Sequence, residues 1–129
     1  MKPFVKNQTK LTAKEEEIMR HFWSSGPMFV RELLRYYPHP KPHFNTLSTI
    51  VRGLEEKGFL THKTFGNTHQ YFWVISEDEY KAGALKSVVN AYFKSSYMGV
   101  VSSLIEQEEI SLEELKRLIE SVEKRSKRE

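Results

Sequence analysis

Three capping boxes, a recurring helical period of apolar residues and one pair of strand-like runs around a Gly-Asn turn predict a mainly α fold with a small β ribbon. The boxes pair Thr12 with Glu15, Ser76 with Glu79 and Ser111 with Glu114. In each, a hydroxyl and a carboxylate three residues apart satisfy N–H groups that a helix start leaves open. At 129 residues the chain accommodates one compact domain with an appended helical element. Apolar residues at 39% and aromatics at 12% suffice for a core, which excludes global disorder. Without cysteine there is no disulfide framework and no thiolate metal site. No apolar run approaches the roughly 18 residues of a membrane span, and MKPFVKNQTK lacks the apolar stretch of a signal peptide. The expected setting is cytoplasmic, with no membrane insertion.

In order along the chain, residues 1–10 read as a flexible basic arm. The first box opens a helix to about Ser24 whose inner residues are Ile18, Met19, Phe22 and Trp23. Gly26 and Pro27 stop it, and a short second helix from Val30 to Tyr37 turns Leu33 and Leu34 inward and Arg31 and Arg35 outward. The run Pro38-His39-Pro40-Lys41-Pro42 forces a stiff connection, because each proline disfavours helix in the residue before it. A third helix follows, within Pro42 to Gly58, anchored by Leu47, Ile50, Val51 and Leu54 at i, i+3, i+4, i+7. Strands over Phe59 to Thr64 and His69 to Ile75 flank the turn Phe65-Gly66-Asn67-Thr68.

Three helices and a ribbon within about 65 residues is the order of a winged helix-turn-helix, with a two- or three-stranded wing, over residues 11–75. The third helix carries the most information. Opposite its anchor stand Asn45, Thr46, Ser48, Thr49 and Arg52, short amides and hydroxyls with one guanidinium, which suit hydrogen bonding to base edges in a major groove. An ordinary surface helix rich in Thr and Ser has the same look, so the face alone leaves both readings open. The wing would add Lys63, Asn67, Thr68 and His69 as contacts to phosphate or the adjacent minor groove. Charge agrees, with eleven Lys/Arg against six Asp/Glu in residues 1–75 and nine against eleven in residues 76–129.

Residues 76–129 read as a helical dimerisation region. A helix from Ser76 toward Tyr97 carries Tyr80, Val88, Val89, Tyr92 and Phe93; a segment from Met98 to Glu108 carries Val100, Val101, Leu104 and Ile105. A last helix carries Leu112, Leu115, Leu118, Ile119 and Val122. The expected cover for these stripes is a second copy of the chain, through Val88, Tyr92, Val101, Leu104, Leu115, Leu118 and Val122; folding back in a monomer is the alternative.

Four pieces together resemble the penicillinase-repressor family of winged-helix regulators, the BlaI/MecI type. They are E-x-x-I-M-x-x-x-W from Glu15 to Trp23, N-T-L-S-T-I-V-R-G-L-E-E-K-G from Asn45 to Gly58, the pair Phe72-Trp73, and E-E-I-S-L-E-E-L in the tail. The likeness runs from about Leu11 to Val122. It implies a homodimer that occupies a palindromic double-stranded DNA operator and blocks transcription, with Asn45–Lys57 as recognition helix and Thr46, Ser48, Thr49 and Arg52 facing DNA. It also implies a membrane sensor protease system, since the penicillinase repressors are cleaved at an Asn-Phe bond in the dimerisation helices. Ser103-Leu104 stands at the matching positions, a departure that leaves the cleavage site and the inducing signal open. Copper-responsive relatives carry C-terminal cysteine pairs, which this chain lacks. The other reading of the fold is a winged-helix adaptor that binds protein and no DNA.

Catalytic chemistry has little support. His21, His39, His43, His62 and His69 do not fall at metal-ligand spacing, and prolines keep His39 and His43 from sharing a helix face, so a zinc pair there competes with a plain loop reading. His43 reads better as a residue at the start of the third helix, near phosphate. Glu15-Glu16-Glu17 and Glu77-Asp78-Glu79 sit in first helical turns, where negative charge complements the dipole. There is no glycine-rich phosphate loop and no nucleophile elbow. The expectation is no enzyme, no metal and no cofactor.

Overall fold

The computed structural model describes residues 10–128; apart from Lys10, the expected basic arm lies outside them. The elements run α1 (Ala13–Ser25), β1 (Met28–Phe29), α2 (Val30–Leu33), a 3-10 turn (Leu34–Tyr36), α3 (Phe44–Glu56), β2 (Leu60–Phe65), β3 (Thr68–Trp73), α4 (Glu77–Tyr92), α5 (Tyr97–Glu106) and α6 (Leu112–Arg128). This is a mainly helical chain with a winged helix at its head.

The cap chemistry sets the helix starts. Thr12 Oγ1 accepts from the Glu15 N–H at 3.1 Å while Glu15 Oε1 accepts from the Thr12 N–H at 2.9 Å, and the Ser76/Glu79 and Ser111/Glu114 pairs repeat both bonds. At the other end of α3, Gly58 takes φ +87°, a conformation costly for any residue with a Cβ. Its N–H donates to Glu55 O and the Phe59 N–H to Leu54 O, the two bonds of a Schellman stop.

The core follows from the periodicity. Ile18, Met19 and Phe22 of α1, Leu33 of α2 and Leu47, Val51 and Leu54 of α3 pack with Phe59, Leu60, Tyr71 and Ile75, all buried. Each full-sized side chain so placed contributes about 1.5–3 kcal/mol. Ile50 and Leu34 pack only at its margin. Trp23 lies partly buried and donates from Nε1 to Ile75 O at 2.9 Å, which ties α1 to the end of the wing.

Two boundaries differ from those expected, and the wing takes the three-stranded of its two expected forms. The second helix turns 3-10 at Leu34, and Lys41 caps that end by donating from Nζ to the Leu34 and Tyr37 carbonyls. The wing has three strands in the order β1-β3-β2, because Met28 and Phe29 pair with Tyr71 and Gln70. Two residues show no alternation, so nothing in the sequence marks that strand. Finally, α4 ends at Tyr92 and not near Tyr97, since Lys94 and Ser95 both take positive φ and Ser96 restarts a helix by accepting from the Gly99 N–H at 2.9 Å.

The chain divides into one unit ending at Ala84 and another beginning at Leu85. The first turn of α4 goes with the head, because Tyr80 packs on Trp23 and Phe59 and its hydroxyl donates to Glu16 at 3.0 Å. In the second unit Val89 is fully buried, whereas Val88, Tyr92, Leu112, Leu118, Ile119 and Val122 are exposed and Val101, Leu104 and Leu115 half-buried. Among the described residues no helix is long and apolar enough to cross a membrane.

Candidate nucleic-acid interface

His43 builds the start of α3: its Nδ1 accepts from the Asn45 N–H at 3.1 Å, the role a Ser or Asp cap would fill. With that nitrogen engaged in the cap, His43 is a poor half of a zinc pair, and among the described residues no three His, Cys, Asp or Glu are grouped to hold a metal. From this cap the helix projects Asn45, Thr46, Thr49 and Arg52 into solvent. The Thr49 hydroxyl donates back to Asn45 O at 2.9 Å and accepts from Arg52 Nη2 at 3.4 Å, so the guanidinium is steered by its own helix. Among the described residues the Asn45 and Thr46 side chains make no hydrogen bond, and Arg52 has no carboxylate partner. The Asn45 and Thr46 side chains, and the guanidinium donors of Arg52 beyond the one on Thr49, are free for a ligand.

Ser48 departs from the exposed position expected for it: it is 9% exposed, on the flank of α3 that turns toward the wing. Phe44 departs in the other direction. It is 46% exposed in the first turn of α3, an apolar group among the polar ones that sequence reasoning passed over.

The wing is a tight ribbon. Phe65 pairs with Thr68 across Gly66 and Asn67, and Gly66 supplies φ +62° at the first central position, as a II′ turn asks. Pairing Lys63 with Gln70 and His62 with Tyr71 puts the two pairs on opposite faces. His62 faces α3, where its Nδ1 lies 2.8 Å from Glu55, and its ring stands 4.1 Å from that of His69. Burial pushes the Tyr71 hydroxyl up, as does the nearby Glu55 charge, while Arg52 pulls it partly back. Lys63 lies on the other face, exposed, with Nζ 6.0 Å from the Phe72 ring centroid. At the tip Asn67 is exposed, and Thr68 commits its hydroxyl to Phe65 O at 2.9 Å.

Between the helix and the ribbon lies a cleft of about 320 Å³. Phe29, Val30, Phe44 and Tyr71 form its apolar wall; Arg31, Arg52 and His69 are its basic groups, with Ser48, Asn67 and Thr68 as the neutral polar ones. None of these is acidic. Arg31 had been placed only on an outer helix face, and its position beside α3 depends on β1, which the sequence hides.

Comparison with known proteins gives the family. A family model described as penicillinase repressor matches residues 11–124. The chain belongs to the penicillinase repressor family. It is 26% identical over 110 residues to the methicillin resistance regulatory protein MecI of Staphylococcus aureus strain Mu50, an alignment covering 84% of this chain and 89% of that one. It is 25% identical over 114 residues to the MecI of Mammaliicoccus sciuri, covering 84% and 89%. Against the penicillinase repressor of Bacillus licheniformis it is 22% identical over 125 residues, covering 96% and 98%. As a penicillinase repressor family member the chain is a DNA-binding regulator of transcription of the repressor type.

Proposed function

We propose that this chain acts as a homodimer on a palindromic operator, represses by occluding it, and releases it on a signal that acts through the second unit. The observation that carries the reading is the exposed face of α3, which offers Asn45, Thr46, Thr49 and Arg52 without one carboxylate among them. Arg52 is the strongest candidate for a bidentate contact to guanine or a grip on phosphate, and Asn45 for adenine. Phe44 is placed to meet a thymine methyl. Ser48, turned to the cleft, contributes from the edge of the interface. Lys63, Asn67 and Thr68 hold backbone phosphates, which fix register and carry no sequence information. No step in this scheme needs a catalytic group or a cofactor.

Two-fold pairing suits the second unit. The exposed stripe Leu112, Leu118, Ile119 and Val122 on α6, with Leu115 beside it and Val88 and Tyr92 on α4, is more apolar surface than water tolerates without cost, and an identical copy is the economical cover. Val101 and Leu104 of α5 complete the proposed dimer surface. Ser103-Leu104 lies within α5, half-buried, so a membrane sensor protease would have to open that helix and accept a bond other than Asn-Phe.

Sequencing the genomic fragments that the purified chain retains tests the reading. The expected fragments share an inverted repeat with half-sites one helical turn, about 10 base pairs, or a multiple of it apart. Retention of fragments with no common motif would contradict it.

A further inference from the structure

The cleft between α3 and the wing has properties that a protein–DNA interface does not require. Its volume falls within the range of small-molecule sites, and its wall is aromatic and aliphatic, from Phe29, Val30, Phe44 and Tyr71. Ser48 is 9% exposed on the flank of this cleft, and among the described residues its hydroxyl makes no hydrogen bond and keeps its oxygen open to solvent. A hydroxyl open to the cleft and not bonded within the chain can donate to or accept from a ligand atom there. Arg31 and Arg52 both line the cleft with no carboxylate paired to either among the described residues, and His69 adds a third basic group. Duplex DNA could set a thymine methyl on Phe44 but carries no apolar body large enough to cover the whole wall.

We infer that this cleft binds a small carboxylate carrying an aromatic or branched apolar body, and that its occupancy displaces DNA. The carboxylate takes the Ser48 hydroxyl and the Arg31 guanidinium, while the apolar body lies against Phe29, Phe44 and Tyr71. Arg52, Asn67 and Thr68 belong both to the cleft and to the proposed DNA contacts, so one ligand excludes the other by direct competition. This second part rests on the DNA reading of α3; the first part does not.

The test uses the full chain and 2-naphthoate as probe, with acetate, inorganic phosphate and 2-naphthamide at matched ionic strength as controls. Binding is followed by calorimetry and by amide shifts. The expected result is saturable binding of 2-naphthoate alone, with shifts centred on residues 29–31, 44–52 and 67–71. Ser48→Ala and Arg31→Gln each weaken it about tenfold, as loss of a charge-assisted hydrogen bond implies, with the helical circular dichroism unchanged. Absence of saturable shifts, equal binding of acetate or phosphate, or shifts confined to the second unit overturns the inference. In a parallel measurement 2-naphthoate lowers affinity for a retained genomic duplex. A chain that binds the duplex but not the probe loses the ligand site and keeps the proposed function; one that binds the probe but no duplex keeps the ligand site and loses that function.

Discussion

Arg52 stands in solvent on α3, held by one bond to Thr49 at 3.4 Å and by no carboxylate, so its charge and the rest of its five donors are uncommitted. Replacing it with Ala is expected to cost about 1–3 kcal/mol at the specific site and to relax discrimination there, measured at fixed salt against mismatched duplexes. Lys63 differs in kind. It lies on the ribbon face away from His62 and Tyr71, and Lys63→Ala is expected to weaken all duplexes alike and to reduce the slope of log affinity against log salt by about one. The polar face was legible because Asn45, Thr46, Thr49 and Arg52 follow from the helical wheel alone. Ser48 was not, since its burial depends on how close the wing comes to α3, a tertiary fact that no wheel contains. Arg31 stayed hidden for the same reason.

At the scale of elements, α3 works only as firmly as it is anchored. Leu54 is fully buried, and Leu54→Ala is expected to destabilise the head by about 2–5 kcal/mol in denaturant titrations, with loss of DNA affinity following loss of fold. A second tie joins α1 to the end of α3, where Lys57 Nζ meets Glu15 at 2.7 Å. Burial pushes the Glu15 carboxyl up, but the Lys57 hydrogen bond and charge and the Thr12 bonds outweigh it and leave it below its usual 4.5. A carboxyl held lower in the folded chain than in the unfolded one contributes stability above the unfolded value and loses it as pH falls through the folded one. The stability gap between the native chain and Lys57→Met is therefore expected at pH 7 and shrinks as pH falls below about 4.5 in pH-dependent denaturant titrations. Element starts were readable because capping boxes are local chemistry; the end of α4 was not, because Lys94 and Ser95 have no local reason to take positive φ.

At the scale of the molecule, a basic reading head and a helical tail with exposed apolar stripes are two parts of one proposed device. In the proposed dimer two heads on a shared tail would meet two half-sites, and the second contact would be gained at high effective concentration. Leu118 is 56% exposed on α6, and Leu118→Asp would place an unpaired charge in the proposed dimer seam. Sedimentation is expected to show a dimer dissociation constant raised about a hundredfold or more, with operator affinity falling alongside while the head stays folded. The three-helix head and the helical tail could both be read from periodicity and caps. The small third strand of the wing and the cleft beside it could not, because they arise from pairing between residues some forty positions apart.

The central claim is that α3 and the wing read duplex DNA. The most direct measurement is the affinity of the full chain and of Arg52→Ala for one retained genomic duplex across a salt series. The account predicts a steep linear fall of log affinity with log salt for both chains, and a weaker complex for Arg52→Ala at every salt concentration. Salt-independent affinity, or an Arg52→Ala chain that binds as tightly as the native one, would contradict it.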